Sequence, residues 1–406
     1  MTKFSLVTIM AILLGNLIQA QNLTSSPYSM YGLGQPESNE GGQTAGMGGL
    51  GTAISDNTFI NLANPASLTG LDSLRFYFDL GISVRSFNYQ SASNSESRTE
   101  GNFNRLAIGL KPLKNWGLSA GFIPVTTIGY RIKDSQYIEG TSVTENIYFE
   151  GSGGISKLFI GNAYAFSPAL TLGFNASYLF GRISHEEIQN ALTVEEKSYS
   201  KSFYTDFGLI YKERISEKIP FNVGLTYGYS QRLKLRNELN VMESDGSIIT
   251  HDKLRSTNGY LPAFFSLGIH SGYGEKWTFG VDYLNQDWSK NSSNSSVITF
   301  TDMHRFTIGA QFIPKPRVAR NLLEATNYRM GFSIENSIYN IRGENPLIYK
   351  GSVGLGIPLK NNSMLNLAVS YEKDDASGKN TIQTSALKFN LGIAFSEIWF
   401  VKTKFR

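Results

Sequence analysis

From Leu74 onward, apolar and polar residues alternate with a period of two. In Phe76–Arg85 the even positions hold Phe76, Phe78, Leu80, Ile82 and Val84, and the odd ones Tyr77, Asp79, Gly81, Ser83 and Arg85. Leu170–Gly181, Arg305–Phe312 and Leu387–Phe395 repeat the pattern. Alternation of this kind gives a strand one apolar and one polar face. A soluble sandwich produces the same local signal, so the lengths of runs and connections must separate the two. The runs span about ten residues, enough to cross a bilayer at a tilt, whereas globular strands peak at about five or six.

Fourteen such runs are predicted, near 74–86, 102–111, 116–132, 155–167, 169–183, 202–214, 219–233, 261–271, 276–287, 303–313, 327–336, 349–358, 363–373 and 385–396. Their connections alternate between short (112–115, 168, 215–218, 272–275, 359–362) and long and polar. Short periplasmic turns and long external loops mark an outer-membrane barrel. Only 314–326, with Lys315, Arg317 and Arg320, is long where a short turn is due. The expected fold is therefore all-β, a transmembrane antiparallel β-barrel of about fourteen strands. Trp116, Trp277, Trp288 and Trp399 fall at predicted strand ends and read as interfacial girdles.

Residues 1–20 read as a secretory signal peptide, with Lys3, an apolar stretch over Phe4–Leu14 and small-residue cleavage near Ala20. Among 406 residues, 40 glycines and 13% aromatics suit strands around a lumen. Zero cysteines exclude disulfides and thiolate metal sites. A net charge of +4 with no concentrated basic face excludes a nucleic-acid partner. His185, His251, His270 and His304 lack ligand-like spacing, and no G-x-S-x-G elbow occurs. Neither a metal, a cofactor nor an enzyme activity is expected.

Residues 21–73 hold no long alternating run. They are rich in Gly and Asn, yet carry Leu50, Ile54, Phe59, Ile60, Leu62 and Leu68, which a free tail has little reason to carry. Gly46–Gly51 formally satisfies G-x-G-x-x-G, but the βαβ context of a dinucleotide fingerprint is absent. The expected division is signal peptide 1–20, lumenal hatch 21–73 and barrel 74–406.

Gly32-Leu-Gly34, then Gly48-Gly49-Leu-Gly51-Thr-Ala53-Ile-Ser-Asp56, then Asn64-Pro65-Ala66-Ser-Leu68 resembles the N-terminal plug of the FadL-type family, fourteen-stranded outer-membrane transporters of long-chain fatty acids and aromatic hydrocarbons. The resemblance implies a hatch built on Gly48, Gly49, Gly51, Asp56, Asn64, Pro65 and Ala66, and location in a Gram-negative outer membrane. It also implies a lateral gate in the third strand, at Gly121, Pro124 and Gly129. A proline inside a strand is equally compatible with a twist-adjusting bulge.

Arg75, Asp79, Arg85, Asp206, Asp282, Arg305, Arg329 and Lys388 are expected to face inward as a salt-bridged, wet lumen. Arg85, with Arg75 and Asp79 nearby in sequence, is the candidate partner of a substrate carboxylate. Two functions follow. One is passive uptake of small hydrophobic molecules. The other is a non-transporting barrel that scaffolds an outer-membrane secretion or biogenesis complex. The partners are membrane lipid and either such a molecule or other complex subunits.

Overall fold

A computed structural model describes residues 26–399 apart from positions 39, 93, 138–139, 141–143, 292–294, 296 and 377–380. The predicted signal peptide and the extreme C-terminus lie outside the described residues.

The barrel strands are β1 (Arg75–Gln90), β2 (Ser95–Leu113), β3 (Trp116–Tyr137), β4 (Thr144–Ala165), β5 (Leu170–Gln189), β6 (Leu192–Ser216), β7 (Ile219–Gly228), β8 (Phe264–Tyr273), β9 (Trp277–Gln286), β10 (Met303–Phe312), β11 (Asn327–Asn336), β12 (Leu347–Pro358), β13 (Met364–Asp374) and β14 (Gln383–Ile398). Each pairs antiparallel with the next, and β14 closes on β1 from Arg75↔Ile398 to Gln90↔Gln383, giving a closed 14-strand barrel. Closure leaves no sheet edge to satisfy in hydrocarbon. The alternation resolves into a lipid-facing side with Phe306, Ile308, Leu367 and Phe389 exposed, and a lumen side with Asp79, Ser266, Thr307 and Lys388 buried.

Several boundaries differ from expectation. The strands continue past the membrane on the external side: β6 runs 25 residues and β4 22. There both faces meet water, so period-two contrast fades while backbone pairing persists. The expected loop 234–260 likewise contains strands, Gln231–Glu243, Ile248–Lys253 and Thr257–Leu261, folded onto the upper part of β6. The seventh run breaks after Gly228 instead of continuing to 233. Within 314–326 a short helix, Leu322–Ala325, is capped by the Asn321 side chain at 3.0 Å from Glu324 N.

Trp288 is not an interfacial girdle residue. It is buried with Ile298, Phe300, Met303, Ile338, Tyr339 and Ile341 in a cluster of external segments, against which Tyr28 and Tyr31 pack. Apolar loop residues gather over the lumen and take the indole with them.

The described residues before β1 pack against inward-facing wall positions, Gly48 N on Ser352 Oγ and Gly51 N on Asp282 among them. Pro27–Met30 sits at the external end, where the Tyr28 hydroxyl accepts a hydrogen bond from Ile382 N at 3.1 Å and its ring lies 5.9 Å from Tyr339. The chain then descends to the short helical turn Pro65–Gly70 and enters β1.

Candidate functional site

The hatch is held by backbone contacts that only glycine permits. Gly48 and Gly49 have φ of 73° and 97°, a left-handed turn open to residues without Cβ. The turn points Gly48 N at Ser352 Oγ, 2.8 Å away, and delivers Gly51 N and Thr52 N to one Asp282 carboxylate oxygen at 2.7 and 2.8 Å. Asp282, expected to face inward, thus holds the hatch in place.

Asn64 is the second anchor. Its amide donates to Thr52 O at 2.7 Å and to Leu209 O of β6 at 3.1 Å, while its oxygen accepts from Ala66 N at 2.9 Å. Pro65 fixes φ as the turn starts. Asp56 acts locally, accepting from Thr58 N and Oγ1 at 2.7 and 2.6 Å. Of the apolar hatch residues, Leu50, Ile54, Phe59, Ile60 and Leu68 are buried and Leu62 is half-buried.

Facing the hatch is a belt of wall glycines that sequence reasoning did not resolve. A Cβ on Gly224 would lie 2.1 Å from Thr52 O, on Gly173 2.6 Å from Ala66 N, and on Gly331 2.1 Å from Met47 C. They stand on lumen-facing positions of alternating runs, the signal that identifies them.

Above the hatch is a cavity of about 340 Å³. Its lining includes Glu37, Glu40, Arg85, Arg105, Arg305, Glu335, Lys350 and Glu372, together with Ile123, Leu179, Phe264 and Trp288. Most of these charges are paired. Glu40 from the hatch meets Lys350 and, at 3.7 Å, Arg305, which also bonds Glu335. Arg105 holds Asp79 at 2.9 Å, and Lys157 lies 3.5 Å from Asp206. Burial alone would raise the Glu40 carboxyl, but Lys350, Arg305 and Lys388 together hold it below its ordinary value.

The inward charges predicted from parity do face inward: Asp79, Arg85, Asp206, Asp282, Arg329 and Lys388 are buried and Arg305 is half-buried in the lumen. The three ligand candidates are not brought together. Arg85 lines the cavity, 3.9 Å from Glu100, with its guanidinium over Phe87. Asp79 is taken by Arg105, and Arg75 lies at the periplasmic end with Asp72 and Asn361 O. Arg105, Glu100, Lys350 and Glu40 were missed. Arg105 and Lys350 sat on the polar parity of predicted runs, whereas Glu100 and Glu40 fell in segments without alternation. No cluster of metal-ligating side chains occurs among the described residues.

The wall has a seam. β2–β3 pairing ends at Leu106↔Phe122, although β2 still pairs with β1 out to Ser95 and β3 with β4 out to Tyr137. Pro124 stands at this point, with a register shift against β4 between Pro124 and Thr126. On its inner side the seam is occupied by the chain itself. Gln35 and Pro36 pair antiparallel with Thr127 and Thr126, Glu37 N donates to Val125 O at 3.0 Å, and Ser29 Oγ bridges Gly129 N and O at 3.2 Å. Gly121 remains paired, to Ala107 and Phe159.

The fold is a closed fourteen-stranded antiparallel barrel with an N-terminal segment packed against the inner wall, and solved structures share it. A Pseudomonas aeruginosa FadL homologue superposes with a TM-score of 0.59 at 11% identity, covering 87% of this chain and 98% of that one. The P. putida toluene transporter TodX gives 0.60 at 14%, covering 89% and 99%. The CymD monoaromatic hydrocarbon channel gives 0.58 at 14%, covering 88% and 97%. At these identities the likeness is one of fold. The BamG family model matches residues 1–406, and the chain belongs to that family. No curated protein matches the sequence.

Proposed function

We propose that this protein is a sealed, non-transporting barrel that serves as a structural subunit of an outer-membrane secretion or biogenesis complex. The observation that carries the reading is the cavity above the hatch. Ion pairs of both signs line it, and one of them, Glu40–Lys350, ties hatch to wall. An apolar ligand there would displace water from ions at a cost of several kcal/mol, about the size of the burial gain it brings. The seam is filled by Gln35–Pro36, and Trp288, from the external apolar cluster, lines the cavity. Membership of the BamG family is compatible with this reading. The 314–326 connection, with Val318, Leu322 and Leu323 exposed, offers a periplasmic contact surface for a partner subunit.

Co-purification of the full chain in mild detergent tests it. A stoichiometric protein partner is expected. A lone barrel that accelerates hydrocarbon uptake in an otherwise empty strain would sink the reading.

A second reading, passive uptake of small hydrophobic molecules, is supported by the seam itself, where Gly121, Pro124 and Gly129 would form a lateral gate. Two structural neighbours are described as a toluene transporter and a monoaromatic hydrocarbon channel. In this reading the Gln35–Pro36 segment must leave β3 for ligand to exit. A disulfide between cysteines placed at Gln35 and Thr127, which are register partners, separates the two. Uptake abolished by oxidation and restored by reduction supports a gate. Partner binding unchanged by oxidation, with no uptake in either state, supports the scaffold.

A further inference from the structure

Charge on the outside of the barrel is uneven. On β5 the even positions from Leu172 to Phe180 face outward, and the next residue on that face is Arg182, exposed. On β6 the exposed Phe203 is followed on the external side by Lys201, also exposed. The Gln231–Glu243 strand buries Leu233 and Leu235 toward the lumen and leaves Arg232, Lys234 and Arg236 exposed on the other face. Cross-strand register joins these positions. Phe180 pairs with Lys201, and Arg182, Tyr199 and Arg236 form one row across three strands. Neighbouring strands lie about 4.8 Å apart, so Arg182 and Arg236 are anchored about 10 Å from each other. Lys201 and Lys234 stand one step below that row, toward the membrane.

No acid answers these cations. Among the described residues no salt bridge reaches Arg182, Lys201, Lys234 or Arg236, and on the β4 side the neighbours are Gly154 and Ser156. The acids of this face begin one row higher, where they meet cations of their own. Glu195 holds Lys197 at 2.6 Å, and Glu238 is in register with Lys197 and Lys253. On other external extensions the exposed cations stand against acids, Arg98 on Glu96 and Arg131 on Glu150.

Height fixes what the cluster meets. Arg182 is twelve residues along β5 from Leu170, at the periplasmic turn, which is about 28 Å at 3.3 Å per residue and a 45° tilt. The apolar band of a barrel is about 25 Å tall, so the row lies at the headgroup level of the outer leaflet. Directly beneath it is an aromatic sill, with the Tyr178 ring 6.0 Å from Phe180 and 5.4 Å from Phe203. Unpaired cations over aromatics match phosphates over acyl chains. A cluster this wide is broader than one phosphate and fits a headgroup that carries its phosphates on a sugar.

We propose that the Arg182–Tyr199–Arg236 row binds the phosphorylated glycolipid of the outer leaflet, with its phosphates at Arg182, Lys201, Lys234 and Arg236 and its acyl chains over Phe180 and Phe203. The proposal goes beyond the scaffold reading. It rests only on the barrel sitting in an outer membrane and holds whether the lumen conducts or is sealed.

The test uses the full chain in mild detergent, native mass spectrometry, and purified lipid A, dephosphorylated lipid A or phosphatidylglycerol in separate arms. Each cation near a charged membrane surface is worth a factor of about five in binding. Arg182→Gln combined with Arg236→Gln is therefore expected to lower lipid A retention about twentyfold, and Lys234→Gln alone about fivefold. Arg98→Gln, on another extension, should leave it unchanged. All variants should keep the heat-modifiable gel mobility of the folded barrel, since these side chains face out of the wall. Equal retention of lipid A by wild type and the double variant overturns the proposal. So does retention of dephosphorylated lipid A or of phosphatidylglycerol at the level of lipid A. A photo-crosslinker at Phe203 in intact cells gives an independent reading. A lipid adduct supports the site, and a protein adduct overturns it. Lipid retention is read on the isolated chain, so failure to find a protein partner leaves this result standing.

Discussion

At the scale of single residues, what decides a position is which side of the wall it faces and what stands behind it. Gly224 and Gly351 have the same chemistry and opposite surroundings. Alanine at 224 would bring its Cβ to 2.1 Å from the Thr52 carbonyl, whereas alanine at 351 would meet nothing within 4 Å. Gly224→Ala is therefore expected to destabilise the barrel by about 1–3 kcal/mol through overpacking, and Gly351→Ala by less than about 0.5 kcal/mol. The midpoint of thermal conversion between folded and heat-modified gel mobility measures both, and equal midpoints would refute the packing argument. Asp282 is a similar case for hydrogen bonding. Replacing it with alanine leaves Gly51 N and Thr52 N without the carboxylate that accepts from both, a loss of about 2–5 kcal/mol for two buried donors. Because that loss falls on the hatch, protease cleavage within 41–68 of reconstituted protein should rise. Cleavage no faster than wild type would mean that other contacts hold the hatch.

At the scale of elements, the alternation of apolar and polar residues revealed every strand that crosses the membrane, because there the two faces meet lipid and lumen. It failed wherever both faces meet water. The upper half of β6, with Lys197 and Glu195 on neighbouring positions, reads as loop yet pairs residue for residue with β5. Within the N-terminal segment the turns at Gly48-Gly49 and Asn64-Pro65 were legible, because their chemistry is local. Its contacts with the wall were not legible, since Glu40 and Lys350 are 310 positions apart and no local pattern joins them. Pro124 marked a disturbance in β3 from sequence alone. That the disturbance is a seam filled by Gln35–Pro36 depends on a pairing nearly a hundred residues distant. The 314–326 connection stood out by length, and the structure gives it an internal frame: Glu324 binds Lys315 at 2.7 Å and Arg320 N at 2.8 Å, and Arg317 pairs with Glu275. Replacing 315–325 with a short glycine turn should leave barrel folding intact, since nothing in β10 or β11 depends on the loop for pairing. In the scaffold reading it should also remove the co-purifying partner. Retention of the partner would move the contact to another face.

At the scale of the whole molecule, barrel and hatch make one body only if the wide lumen, which a fourteen-stranded wall cannot fill with its own side chains, stays occupied. The apolar clusters around Ile60 and Leu68 and around Met47 and Phe59 fasten the lower part of the hatch. The upper part is held by Gln35–Pro36 on β3 and by Glu40, clamped by Lys350 and Arg305, with Lys388 held to Ser38 Oγ at 3.2 Å. This clamp is titratable. Burial works against the Glu40 carboxylate, yet the three cations outweigh it and hold its pKa below the ordinary value. A group depressed in the folded state contributes stability that is present above its unfolded pKa, near 4.5, and is lost as pH falls through the folded value. The hatch should accordingly stay shut at neutral pH and loosen only in acid below the ordinary glutamate range. Protonation would then leave Lys350 and Arg305 facing each other across a neutral acid, with Glu335 the carboxylate still bound to Arg305. In planar bilayers the full-length barrel should show little conductance at neutral pH and rising conductance as pH is lowered past that range. Glu40→Gln should conduct already at neutral pH, with the acid step diminished. A wild-type conductance that is high at neutral pH, or an acid step of the same size in Glu40→Gln, would show that the lumen is not closed by this ion pair.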